Sequence, residues 1–128
     1  MTAADTILVV DDNDSVRALL RSGLEQQGWR VLLSASGAGV PELIAEHEAS
    51  HGVAAVLLDI VMAEREGIET LMELKAAYPA LPVVMISSFS DYLPMAKTLG
   101  ADAALEKPLD LGEVAAVLAE LVPAGPPV

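Results

Sequence analysis

The 128-residue chain contains no cysteine, which excludes a disulfide framework, a zinc–thiolate site and a thiol nucleophile. Positive charge is also scarce, with 7 lysines and arginines against 19 aspartates and glutamates. The formal net charge of −12 repels phosphate backbones and predicts no direct binding of nucleic acid. No apolar run is long enough to span a bilayer, and no basic segment precedes an apolar one. We therefore expect a soluble, cytoplasmic protein with no membrane contact.

Apolar residues make up 53% of the chain, enough for the core of a single domain. Short β-branched runs alternate with stretches of helical periodicity. The runs are "TILVVDD", "RVLLSA", "VAAVLLDI", "PVVMIS" and "ADAALEKP". This alternation predicts an α/β fold, in which a five-stranded parallel sheet is covered on both faces by five helices.

Residues that start and stop helices set the expected boundaries. Asp14 or Ser15 can cap the first helix, and Gly28 can close it. Gly67 precedes the third helix. The segment "PAGPPV" cannot continue a helix, so we expect one domain over residues 1–122 and a tail or the start of a linker over 123–128.

Polar side chains follow four of the predicted strands. They are Asp11 and Asp12 after the first, Asp59 after the third, Ser87 after the fourth and Lys107 after the fifth. Asp59 stands in the almost unbroken apolar run "AAVLLDIVMA", where a lone buried carboxylate would be costly. Because ligands bind at the carboxyl ends of parallel strands, we expect these groups to form one site.

Each of these residues also has an ordinary structural explanation. Asp11 or Asp12 could cap the following helix. Ser87 could bond to nearby backbone, and Lys107 could be a solvated surface residue. Pro108 could simply end its strand. The convergence of the whole set favours the functional interpretation.

Four segments together resemble response-regulator receiver domains over roughly residues 6–122. They are "ILVVDD", "LLDIVMAEREG", "PVVMISS" and "GADAALEKPL", in that order. The resemblance implies the flavodoxin-like strand order 2-1-3-4-5. It also implies a place in a two-component or phosphorelay pathway.

The resemblance assigns Asp59 as the nucleophile that takes a phosphoryl group from the phosphohistidine of a sensor histidine kinase or a histidine phosphotransfer protein. Mg²⁺ would be held by Asp11, Asp12, Asp59 and the backbone carbonyl of Val61. Carboxylate and carbonyl oxygens are the ligands that this ion prefers. The protein would catalyse only its own phosphorylation and slow dephosphorylation, so it is not expected to be an enzyme in the usual sense.

Ser87 occupies the position of the family's switch hydroxyl, and Lys107 that of its phosphate-pairing lysine. The resemblance also suggests a cis Lys107–Pro108 bond that aims the lysine. Phosphoryl transfer depends mainly on positioning and on neutralising charge, which suits these roles. The partner is expected to dock near the first helix, at whichever of Val16, Leu19 and Leu20 is exposed.

The chain departs from the family pattern in its phosphorylation loop and at its output face. Ala63 stands where the family usually has proline, and Ala104 where it has an aromatic switch residue. The fourth helix is short and carries Pro94. Tyr92 is a possible replacement for the missing ring, and the output face is expected to be unusual.

Val61 and Phe89 stand two residues after Asp59 and Ser87, at positions that tune phosphate lifetime in this family. Both side chains are apolar and cannot orient an attacking water, which predicts slow self-dephosphorylation. Val61 also argues against an aspartyl-phosphate hydrolase, which needs an acid there. The remaining alternative is a docking or dimerisation module that takes no phosphate. A monomer or weak homodimer is expected.

Overall fold

The computed structural model describes residues 4–48, 52–61 and 67–126, so Ala63 lies outside the described residues. A five-stranded parallel sheet has the order β2-β1-β3-β4-β5, which confirms the expected topology. The strands are β1 (Thr6–Val10), β2 (Arg30–Ser34), β3 (Val53–Asp59), β4 (Val83–Ser87) and β5 (Ala103–Glu106). The helices are α1 (Asp14–Gln26), α2 (Val40–Glu48), α3 (Gly67–Ala77), α4 (Tyr92–Thr98) and α5 (Leu111–Leu121). In the described part of the chain, no helix is both long and apolar enough to cross a membrane.

Two apolar layers cover the sheet, which explains the continuous hydrophobic runs in its central strands. One layer contains Leu8, Val10, Leu58 and Met85 with Ile44, Leu71 and Ala96 from α2, α3 and α4. The other contains Ile7, Val9, Leu57 and Val84 with Leu20, Leu24 and Leu118 from α1 and α5. Because successive strand residues point to opposite faces, every residue of β1, β3 and β4 is buried.

The start of α1 differs from the prediction. The cap is Asn13, whose side-chain oxygen accepts a hydrogen bond from the Val16 amide at 3.0 Å, so Asp14 and Ser15 are wrong as caps. Asn13 has the extended backbone that a cap requires, while Asp14 is already helical. Gly28 follows the end of α1 with φ 101°, as predicted. Gly67 is the first residue of α3 and does not precede it.

The strand register brings the predicted polar residues to one edge of the sheet. Val10 lies beside Leu58, Asp59 beside Ile86, and Ser87 beside Glu106. The residues that follow β1, β3, β4 and β5 therefore leave the sheet at the same edge.

Gly67 brings the chain back directly against the end of β3. Its amide donates to the Ile60 carbonyl at 2.7 Å. A Cβ atom at this position would lie 1.9 Å from the Asp59 carbonyl oxygen and 2.9 Å from the Ile60 Cα. The contact is with backbone and not with a flexible side chain, so any larger residue must displace the strand end that carries Asp59.

Gly67→Ala is therefore expected to lower the free energy of unfolding by about 1–3 kcal/mol, despite the better helix propensity of alanine. Gly112→Ala is the matched control in the first turn of α5, because its Cβ would meet only the Asp110 carboxylate, at 3.1 Å. Urea unfolding in EDTA measures both variants. Equal stability of the two would contradict the close approach at Gly67.

Candidate functional site

Three carboxylates from the ends of two neighbouring strands meet at the carboxyl edge of the sheet. Asp11 and Asp12 follow β1, and Asp59 ends β3. One oxygen from each lies within 4.8 Å of the other two. Asp11 and Asp59 are buried and Asp12 is exposed, so the cluster opens to solvent on one side.

Lys107 is the cation that faces this cluster. Its ammonium nitrogen lies 2.8 Å from Asp11 Oδ2 and donates a hydrogen bond to Asp59 Oδ2 at 3.1 Å. The Lys107 backbone amide donates to the Ser87 carbonyl at 2.8 Å, which extends the β4–β5 pairing by one step. The Lys107–Pro108 peptide bond is cis, as predicted.

Ser87 ends β4, the strand next to β3, and Val61 follows Asp59 by two residues; both make contacts with nearby backbone or side-chain groups. The fully buried Ser87 hydroxyl accepts a hydrogen bond from the Phe89 amide at 2.9 Å. The Val61 amide donates to Asp59 Oδ1 at 3.2 Å. Both residues therefore occupy the expected edge. The use of the Val61 carbonyl as a metal ligand stays a prediction.

The electrostatics of the site are unbalanced. Burial, reinforced by the negative charge of Asp11, raises the pKa of the Asp59 carboxyl from 3.8 to about 6, although Lys107 and the Val61 amide favour the ionised form. Burial also acts against the Lys107 ammonium, but its contacts with Asp11 and Asp59 outweigh this and raise the pKa of Lys107 above its ordinary value. The Lys107 ammonium thus offsets the effect of burial and of Asp11 on Asp59 only in part.

The donor set fits a hard divalent cation. Asp11 Oδ2 is completely buried and, apart from the ion pair with Lys107, accepts no hydrogen bond. Asp11 Oδ1 is fixed by the Asn13 amide at 2.9 Å. An oriented carboxylate oxygen with unused acceptor capacity, next to two further carboxylates, matches the oxygen ligands that Mg²⁺ takes in proteins.

Arg17 is a contact of this site that the sequence reasoning missed. One guanidinium nitrogen donates to the Asp11 carbonyl at 2.6 Å, and another donates to the Asp14 carboxylate. The available signal was a basic residue one turn into the helix that follows the acidic loop.

The two residues expected to tune phosphate lifetime, Val61 and Phe89, are apolar and lie at the rim of the site. Val61 and Phe89 are 43% and 56% exposed. The Phe89 ring packs edge-to-face against Tyr92, with 5.9 Å between ring centroids. Ala104 lies on β5 beside Met85 and is half-buried. The aromatic contact near the site therefore lies on the β4–α4 segment, and β5 contributes no ring.

A groove of about 380 Å³ adjoins Lys107 on the α1 side. It is lined by Val16, Leu19, Ser88, Lys107, Pro108 and Leu109. Of the three α1 residues considered for docking, Leu19 is exposed, Val16 is half-buried and Leu20 is buried. Of these three residues, only Leu19 is exposed as the docking prediction required.

Comparison with known proteins places this site in a family. Residues 7–119 match the model of the response regulator receiver domain. The chain is 39% identical over 114 residues to the transcriptional regulatory protein ZraR of Escherichia coli K12, covering 88% of this chain and 25% of that protein. It is 32% identical over 120 residues to the DNA-binding transcriptional regulator NtrC of Rhizobium meliloti, covering 92% and 24%.

Among solved structures, the response regulator TrrA of Thermotoga maritima, in complex with Mg²⁺–BeF, superposes with a TM-score of 0.77 at 25% identity, covering 94% of this chain and 99% of that one. The fold and the convergent acidic edge define a signalling module of the two-component type. The chain belongs to the response regulator receiver domain family. It spans about a quarter of the length of the two regulators that it matches.

The raised pKa of Asp59 predicts a pH-dependent effect of Asp59→Asn. A folded-state pKa of about 6 against 3.8 means that the stability contributed by the protonated carboxyl is complete below about pH 4. That contribution is lost as the pH rises through 6. In EDTA at pH 7.5, Asp59→Asn should therefore be more stable than wild type by about 2 kcal/mol, and this gain should shrink at pH 4.5.

Urea unfolding at the two pH values measures this difference. Asp91→Asn is the matched control, because Asp91 is exposed and its side chain makes no capping hydrogen bond. A gain for Asp59→Asn that is the same at both pH values would contradict the raised pKa.

Proposed function

We propose that Asp59 accepts a phosphoryl group from a phosphohistidine on a sensor histidine kinase or a histidine phosphotransfer protein. The observation that carries the proposal is the cluster of three carboxylates within 4.8 Å, two of them paired with Lys107. A carboxylate can act as the nucleophile in such a transfer and become an acyl phosphate. In the reaction a phosphorus–oxygen bond to Asp59 forms as the phosphorus–nitrogen bond to the imidazole breaks.

In this proposal, Asp11, Asp12, Asp59 and the Val61 carbonyl would hold Mg²⁺. The ion, when bound, supplies positive charge that offsets the negative oxygens of the transferred group. Support comes from the unused acceptor capacity of the buried Asp11 Oδ2 and from the presence of Mg²⁺–BeF in the similar TrrA structure.

Lys107 and Ser87 would act on the transferred group after it reaches Asp59. The Lys107 ammonium contacts Asp59 Oδ2. After the transfer, it would donate hydrogen bonds to the phosphoryl oxygens in place of part of this contact. The Ser87 hydroxyl, now an acceptor from the Phe89 amide, has a proton with which it can donate to the same oxygens. Both groups neutralise charge without forming covalent bonds.

We further propose that the partner docks at the groove beside Lys107, where Leu19 presents exposed apolar surface next to the site. With a formal net charge of −12, the unit would control protein–protein contacts and would not itself bind nucleic acid.

Residues 1–122 would form the receiver unit, with a tail or linker over 123–128. Its chemistry would be limited to its own phosphorylation and slow dephosphorylation. A cytoplasmic location and a monomeric or weakly dimeric state stay predictions.

Intact mass after incubation with acetyl phosphate tests the proposal. Wild type and Asp91→Asn should each gain one phosphoryl group in Mg²⁺ and none in EDTA, whereas Asp59→Asn should gain none. Lys107→Ala should be phosphorylated less because the charge opposing the transferred oxygens is lost. No adduct on wild type under any condition would leave the docking or dimerisation module as the function of this fold.

The apolar rim predicts a long-lived acyl phosphate. The side chains of Val61 and Phe89 carry no oxygen or nitrogen that could orient water, so the phosphorylated protein should lose its phosphoryl group more slowly than acetyl phosphate hydrolyses in the same buffer. Val61→Gln or Phe89→Gln should shorten the half-life several-fold. Met72→Gln, which alters an exposed apolar residue on α3, serves as the control. A wild-type half-life no longer than that of acetyl phosphate would overturn this prediction.

A further inference from the structure

The loop that joins β1 to α1 carries two of the three clustered carboxylates and is tied down at several points. The Asp11 amide donates to the Ser34 carbonyl at 3.1 Å, and Asp11 Oδ1 accepts from the Asn13 amide at 2.9 Å. The Asn13 side chain in turn caps α1 through the Val16 amide. These bonds give a hydrogen-bond partner to the Asp11 amide and to one of its carboxylate oxygens.

The Asp11 carbonyl is secured by a side chain of α1. Arg17 Nη1 donates to it at 2.6 Å, and Nη2 donates to the Asp14 carboxylate. The two acceptors lie at either end of the loop, and the rigid fork of a guanidinium can bind both at once. The Arg17 side chain is only 17% exposed, whereas that of Asp14 is 93% exposed, so the fork reaches inward from the surface to the base of the acidic loop.

We propose that Arg17 is a positioning residue for the cation site, setting the backbone from which Asp11 and Asp12 present their oxygens. The inference rests on the metal site of the proposed function. Arg17 would act through the Asp11 carbonyl and would not touch the ion. Partners that orient metal ligands in this way typically account for a 10- to 100-fold difference in metal affinity.

The position of Arg17 and its charge predict opposite changes in Mg²⁺ affinity when the residue is removed. If its charge were what matters, removing a cation next to a cation site would tighten Mg²⁺ binding. If its position matters, removing the fork loosens the loop and weakens binding. The sign of the change in affinity therefore separates the two effects.

Calorimetric titration with MgCl₂ measures this sign. Arg17→Ala should weaken Mg²⁺ binding about tenfold. Arg17→Lys keeps the charge but loses the two-point fork, and should give an intermediate weakening. Arg21→Ala is the matched control, one turn further along α1, where the arginine is exposed and paired only with Glu25 among the contacts described. It should bind Mg²⁺ as tightly as wild type or slightly more tightly.

Mg²⁺ binding by Arg17→Ala as tight as wild type, or tighter, would overturn the proposal. If Arg17→Ala does not fold, as judged by urea unfolding, Arg17→Lys decides. Affinity equal to wild type would then overturn the proposal, and weaker binding at unchanged net charge would support it.

A readout without metal keeps this test separate from the proposed function. In EDTA, the Asn13 amide, which donates to Asp11 Oδ1, should exchange with solvent deuterium faster in Arg17→Ala than in Arg21→Ala. Equal exchange in the two variants would overturn the positioning role even if wild type bound no Mg²⁺. Failure of phosphorylation with normal Mg²⁺ binding would instead count against the proposed function alone.

Discussion

The pairing of Lys107 with Asp11 and Asp59 is the interaction on which the carboxyl edge of the sheet depends. Without it, two buried carboxylates would share a pocket with no compensating charge, which the interior does not tolerate. With it, one lysine contacts two of three carboxylates whose oxygens lie within 4.8 Å of one another. Burial, reinforced by the negative charge of Asp11, raises the pKa of Asp59, and a divalent cation is the partner that would favour its ionised form.

The sheet fixes the positions of the side chains that carry these charges. Asp59 ends a strand with seven buried residues, and its backbone lies against Gly67, where no Cβ can be accommodated. The Lys107 amide is bonded to the Ser87 carbonyl, so the lysine is attached to the neighbouring strand end and not to a free loop. Groups mounted on rigid strands in this way need little rearrangement when charge is transferred to the site.

The sequence predicted secondary structure well wherever a continuous apolar run or a helical repeat of apolar residues was clear. The apolar runs predicted the strands, and the acids that follow them predicted the cluster of three carboxylates. Helix phase and side-chain reach were harder to predict, because Leu19 and Leu20 look alike in the sequence but face solvent and core respectively. The cap at Asn13 and the long reach of Arg17 to the Asp11 carbonyl depend on the path of the loop. Residue identity alone does not determine that path.

The aromatic residues near the site lie on the β4–α4 segment, and β5 carries none. A ring on β5 could move between a core pocket and solvent, but Ala104 has no ring to move. Phe89 and Tyr92 instead pack on each other while both stay exposed, and the amide of Phe89 is bonded to the Ser87 hydroxyl. Because a hydroxyl donates and accepts at the same time, the Ser87 proton can turn toward a phosphoryl group while its oxygen keeps the bond from the Phe89 amide. The two rings are therefore linked to the site by one backbone hydrogen bond, and no side chain of β5 takes part in that link.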